Sequence, residues 1–114
     1  MKTHRGQHAE DLAAAFLQRQ GLKLIERNYR CRFGEIDLIA RDGKTLVFVE
    51  VRMRSSNEFG GAAASITFAK RNKLLRTARH YLAGIARVPA CRFDALLLSG
   101  PEHSVEWLKN AFEE

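Results

Sequence analysis

Gly34-Glu35-Ile36-Asp37-Leu38-Ile39-Ala40-Arg41-Asp42-Gly43-Lys44-Thr45-Leu46-Val47-Phe48-Val49-Glu50-Val51-Arg52 carries two apolar runs on either side of an Asp-Gly step. Branched and aromatic residues favour strands, and Asp-Gly between two such runs is a strong short-range hairpin signal. Strands are therefore expected over residues 35–40 and 45–52. A two-residue turn at Asp42-Gly43 would set Arg41 opposite Lys44, Asp37 opposite Phe48 and Glu35 opposite Glu50. Paired residues point to one side of a sheet, as do residues two apart on a strand. Glu35, Asp37, Glu50 and Arg52 are thus expected on one face. Like charges opposite each other destabilise a hairpin, and a divalent cation would relieve that repulsion. Asp37 and Glu50 fall on a diagonal, about 7–8 Å apart at their backbones, within joint reach of one ion. An all-oxygen donor set suits Mg²⁺ or Mn²⁺ rather than Zn²⁺. Arg52, beside Glu50, would then hold a phosphate or the charge building on a phosphoryl oxygen. The other reading of the same residues is a solvated charged face with Glu50 paired to Arg52.

Outward from the hairpin, residues 8–20 read as a helix, with Ala9, Leu12, Ala13, Phe16 and Leu17 at helical spacing and Gly21 as the stop. Residues 22–29 form an expected strand whose alternation is imperfect. Periodicity is lost over residues 53–64, a loop with Gly60 and Gly61 followed by three alanines. Ser65 or Thr67 caps a second helix that runs to residue 82 or 83, with Leu74, Leu75, Ala78, Tyr81 and Leu82 along one side. A buried strand over 92–99, a short edge strand over 104–108 carrying Trp107 and a helical turn over 110–113 complete the chain. The expectation is one α/β domain over residues 1–114, a central mixed sheet of four to five strands flanked by helices.

Nineteen Lys and Arg against thirteen Asp and Glu give a net charge of +6 and a pI near 9.8. A domain this basic often meets a polyanion. The positive charge is concentrated: no acidic residue stands between Glu58 and Asp94, where Lys70, Arg71, Lys73, Arg76, Arg79, Arg87 and Arg92 lie. Lys70, Lys73 and Arg76 fall largely away from the apolar side of the second helix, a geometry suited to a phosphate backbone. Arg54, Gly60, Gly61 and Ser65 in the preceding loop join that interface, because small residues permit close approach and a helix N-terminus attracts phosphate. A solvated basic face is the bland alternative. Nothing in the sequence reads bases. No run of about 18 apolar residues is present and no apolar stretch follows Met1, so neither a membrane partner nor a secretory route is expected, and the localisation expected is cytoplasmic. Cys31 and Cys91 have no zinc spacing, and a disulfide between them is not expected in that compartment. His4 and His8 stand one helical turn apart without a third ligand. Asp94, in an apolar strand, requires a partner, for which a neighbouring Arg is the candidate.

The pattern Gly34-Glu35-Ile36-Asp37-Leu38-Ile39 followed by Phe48-Val49-Glu50-Val51-Arg52 resembles the core of the PD-(D/E)xK nuclease superfamily. Over nearly its whole length the chain is more closely similar to the YraN-like family. Gly6-Gln7-x-Ala9-Glu10 opens the first helix, Phe59 to Ser65 leads into the basic helix at Lys70 and Lys73, and Cys91-Arg92-Phe93-Asp94 sits at the fourth strand. The resemblance implies a restriction-endonuclease-like core related to Holliday junction resolvases. It implies Asp37 and Glu50 as metal carboxylates, Glu10 as the helix carboxylate, and Arg52 at the superfamily's Lys position. Ile36 stands where the superfamily has Pro, and Arg, which does not deprotonate, cannot act as a general base. The function so implied is Mg²⁺- or Mn²⁺-dependent phosphodiester hydrolysis in DNA, branched or damaged, with RNA as another substrate and a homodimer as the working form. A nucleic-acid-binding protein that keeps the nuclease fold without turnover is the alternative, and a protein-interaction adaptor is a third reading.

Overall fold

The computed structural model of the chain describes residues 4–54, 67–99 and 104–112. Helix α1 (His4–Arg19) is followed by strands β1 (Lys23–Cys31), β2 (Gly34–Asp42) and β3 (Thr45–Arg54), helix α2 (Phe68–Leu82), and strands β4 (Cys91–Ser99) and β5 (Ser104–Phe112). The five strands form one sheet in the order β1-β2-β3-β4-β5, antiparallel except for β3 and β4, which run parallel. Two parallel neighbours require a long crossover, and α2 lies in that connection.

The apolar residues divide between the two sheet faces. Ala13, Ala14 and Leu17 of α1 pack on Leu38, Ala40, Val47, Val49 and Leu96. Leu74 and Ala78 of α2 pack on Ile36, Ile39, Leu46, Phe48 and Phe93. The helices thus cover opposite faces, which explains why β3 reads as an unbroken apolar run: Leu46 and Phe48 serve one core, Val47 and Val49 the other. Helix α2 begins at Thr67, whose hydroxyl accepts from the Lys70 N–H at 3.2 Å. Of the two expected caps, Ser65 lies outside the described residues.

Three expectations are corrected. The hairpin turn is Gly43-Lys44, closed by the pair Asp42 and Thr45, with Ile39 opposite Phe48 and Leu38 opposite Val49. Every partner therefore moves by two positions from the expected register. Gly43 has φ of +61° as the first central residue, while Asp42 has no positive φ. A Gly-first II′ turn demands one positive φ, whereas an Asp42-Gly43 I′ turn would demand two. Asp42 instead bonds Arg92 of β4 at 3.0 Å. Second, the imperfect alternation of β1 is a bulge: the register shifts between Leu24 and Glu26, leaving Ile25 extra and exposed. Third, the chain end is strand through Phe112 rather than a helical turn from residue 110. Asn110 is left-handed, with φ of 54°, and its N–H donates to Asp94 Oδ1 at 2.9 Å where the β4–β5 register shifts. The kink is a bulge that returns the strand to its ladder.

Candidate functional site

The β2–β3 ladder ends at Leu38 and Val49. Beyond that pair, β2 stays with β1 through Gly34, while β3 continues alongside β4 from Glu50 to Arg54. The sheet therefore forks at Asp37 and Glu50. Asp37 is 7% exposed and fills the fork: its Oδ2 accepts from the Val51 N–H at 2.9 Å, taking the place of a ladder carbonyl. The alternation of β2 breaks at this position, since Ile36 and Ile39, three apart, belong to one core and Leu38 and Ala40 to the other.

A cleft of about 420 Å³ opens at the fork, lined by Glu10 of α1, Glu35 and Asp37 of β2, and Glu50 and Arg52 of β3. The expected four residues thus share one site, but as a groove between parted strands instead of one face of a continuous hairpin. Consecutive residues of β3, Glu50 through Met53, line it together, which a flat sheet face would not allow. Ala9 closes the α1 side beside Glu10, which is only 2% exposed. The helix carboxylate implied by resemblance thus lines the same cleft as the strand carboxylates. Glu35 is ion-paired with Arg30 of β1, and so is less available to a ligand than its position on the strand implies.

The donor set is carboxylate oxygen, the chemistry Mg²⁺ and Mn²⁺ prefer. Among the described residues no three His, Cys, Asp or Glu side chains are gathered into a ready-made cage. Mg²⁺ does not need one, because one or two carboxylates with waters and phosphate oxygens suffice. Asp37 and Glu50 fit that requirement.

The basic residues fall elsewhere. Lys70, Lys73 and Arg76 are exposed on α2, and Arg71 is half-buried there. Arg54 ends β3 in the backbone, while its side chain and Gly60, Gly61 and Ser65 lie outside the described residues. α2 meets the start of β2 at Gly34. A Cβ there would stand 3.1 Å from Thr77 Oγ1 and 3.7 Å from Lys73 Cβ. The helix that carries the basic residues is thus packed against Gly34, the residue before Glu35. Cys31 and Cys91 are not in a disulfide.

What the sequence missed is the Val51 amide, which anchors Asp37. A backbone donor leaves no trace in composition. Asp94 finds the expected Arg partner and more. It is 0% exposed and accepts from Arg92 Nε at 3.1 and 3.2 Å, Trp107 Nε1 at 2.9 Å and the Asn110 N–H. Burial pulls the Arg92 pKa down, but the bonds to Asp94 and Asp42 outweigh it and hold the guanidinium above its ordinary range. Trp107 also packs edge-on against Phe16, with ring centroids 5.9 Å apart. This cluster ties α1, β4 and β5 together and is structural.

No helix among the described residues is long and apolar enough to cross a membrane. Residues 9–98 match the uncharacterised protein family UPF0102. A UPF0102 protein of Nitrosomonas europaea is 65% identical over 112 residues, covering 97% of this chain and 95% of the relative. One from Nitrosospira multiformis is 59% identical over 110 residues, covering 96% and 92%, and one from Cupriavidus taiwanensis is 60% identical over 111 residues, covering 96% and 82%. On that coverage the chain belongs to the UPF0102, or YraN-like, family.

Proposed function

We propose that this chain is a Mg²⁺- or Mn²⁺-dependent endonuclease built on a restriction-endonuclease-like core, hydrolysing phosphodiester bonds in DNA. The observation that supports it best is the fork itself: Asp37, buried and fastened to the Val51 amide, shares one cleft with Glu50, Glu10 and Arg52. A hydrogen-bonded, buried carboxylate is held in a single orientation, the condition for a preorganised site.

In this reading Asp37 and Glu50 would hold the ion, with Glu10 of α1 lining the same cleft as a further carboxylate. When bound, such an ion polarises the scissile phosphate and makes water a better nucleophile at neutral pH. Arg52 presents its guanidinium to the cleft and stabilises the negative charge that builds on the phosphoryl oxygens. It does not accept a proton, so the proton of the attacking water passes to a cleft carboxylate or to a substrate phosphate oxygen. Lys70, Lys73 and Arg76 bind flanking phosphates and position the duplex without reading its bases. RNA offers the same phosphate chemistry. A homodimer would place two clefts on two strands.

Arg52 in place of Lys favours a second reading, a nucleic-acid-binding protein that keeps the fold without turnover. The two separate in one experiment: end-labelled linear DNA, four-way DNA and single-stranded RNA with Mn²⁺ at low salt, beside the Asp37→Asn variant. Asn retains an oxygen for the Val51 N–H, so the variant should fold, bind nucleic acid as before and lose cleavage by at least about 100-fold. Binding without cleavage in the unmodified protein would select the second reading.

A further inference from the structure

A second cavity, also about 420 Å³, lies at the opposite end of the central strands. Leu46 of β3 lines it, as does Arg41 of β2. Each is four residues from the forked cleft's Glu50 and Asp37, or about 13 Å along the strand at about 3.3 Å per residue. The two cavities are therefore separate sites, and this one has no part in the chemistry proposed above. Its size falls in the range of ligand-binding cavities.

Its chemistry is divided. The floor is aliphatic, from Ile25, Leu46 and Ile85, with Tyr81 beside them. Ile25 is 41% exposed because the β1 bulge turns it outward. The rim carries three exposed cations, Arg41, Lys44 and Arg87, and among the described residues no carboxylate lines the cavity. Among the described residues none of the three is ion-paired with an acid. The adjacent acid, Asp42, is bonded to Arg92. An aliphatic floor inside a cationic rim fits a ligand with an apolar anchor flanked by negative charges. A sugar-phosphate backbone would satisfy the rim and leave the floor exposed, and a second copy of this +6 chain would bring like charge to it.

We infer that this cavity docks an acidic peptide segment of a partner protein, with one or two large apolar side chains seated on Leu46 and Ile85 and its carboxylates on Arg41, Lys44 and Arg87. Buried apolar anchors carry most of the affinity of such interfaces, and rim charges set selectivity and encounter rate.

The test is fluorescence anisotropy of the full-length protein with a fluorescein-labelled peptide, Glu-Asp-Glu-Asp-Glu-Leu-Phe. Saturable binding is expected. It should weaken about tenfold when Leu-Phe is replaced by Ser-Ser, and about tenfold or more in the Lys44→Glu/Arg87→Glu variant. Both substituted residues are exposed, so circular dichroism should be unchanged. Equal binding of the Ser-Ser peptide would overturn the proposal, because charge alone would then account for it. So would unchanged binding by the variant. Loss of single-stranded oligonucleotide binding in the variant, with the peptide displaced by that oligonucleotide, would assign the cavity to nucleic acid. A dimeric mass in sedimentation that falls to one chain in the variant would assign it to a second copy.

Discussion

Asp94 and Asp37 are both buried strand carboxylates, and their partners distinguish their roles. Asp94 is satisfied by Arg92, Trp107 and Asn110, so its lone pairs are occupied by the protein itself. Asp37 is anchored by the Val51 amide and lies on a cleft. Replacing Asp94 with Ala would leave Arg92 with Asp42 as its remaining carboxylate and strand an indole N–H and a backbone N–H. The expected loss is about 1–3 kcal/mol of unfolding free energy for each stranded donor, read from urea denaturation, because a buried donor without an acceptor keeps its desolvation penalty. A loss below about 1 kcal/mol would show that water replaces the carboxylate. Since the bonds to Asp94 and Asp42 raise the Arg92 pKa, their contribution is complete below the ordinary Arg range and is lost only as pH rises through the elevated value. Stability from the Arg92 side should therefore be flat across neutral pH, measurable as an unchanged denaturation midpoint between mildly acidic and mildly alkaline buffers.

At the scale of elements, the decisive packing is α2 against the first residue of β2. Gly34 has φ of +150°, and Thr77 Oγ1 would crowd any Cβ. Gly34→Ala combines backbone strain with a tight contact that Thr77 must relieve by moving a few tenths of an ångström, at the expense of its bond to the Lys73 carbonyl. It is expected to lower stability by more than about 1 kcal/mol, seen as a lower thermal midpoint. A neutral outcome would mean that Thr77 gives way without cost. The hairpin makes a related point about what can be read from a chain. Asp42-Gly43 was legible as a turn, and the error was one residue in its placement. Asp42 was drawn into the strand by Arg92, a residue fifty positions away. Local turn propensity carries no information about such a partner.

For the whole molecule, the +6 charge and the acid-free interval make a salt-dependent affinity for nucleic acid the expected behaviour. Substituting Lys70, Lys73 and Arg76 together with Ala should reduce the slope of log binding constant against log salt by about 2–3, close to one for each phosphate no longer neutralised. An unchanged slope would place the phosphate-binding surface elsewhere. Stability should hardly change, since all three side chains are exposed. Among the described residues, helices cover the two opposite faces of the sheet, and the two cavities lie at opposite ends of the central strands.

Element type was legible where composition and periodicity are local: the hairpin strands, the apolar side of α2 and the buried β4 all formed as expected. Asp37, Glu50 and Arg52 stood out because charged residues are rare in apolar strands and need a reason to be there. Glu10 was assigned by resemblance alone, since no spacing rule links a helix residue to a strand forty positions later. What only the tertiary structure decided is how they meet. The β2–β3 ladder stops at Leu38, the strands part, and Asp37 replaces a ladder carbonyl at the Val51 amide. That geometry depends on β2 remaining with β1, its neighbour in the chain, while β3 stays with β4, a segment distant in the chain. Residue chemistry is written locally; the fork that turns it into a site arises from long-range strand pairing, which no local pattern encodes.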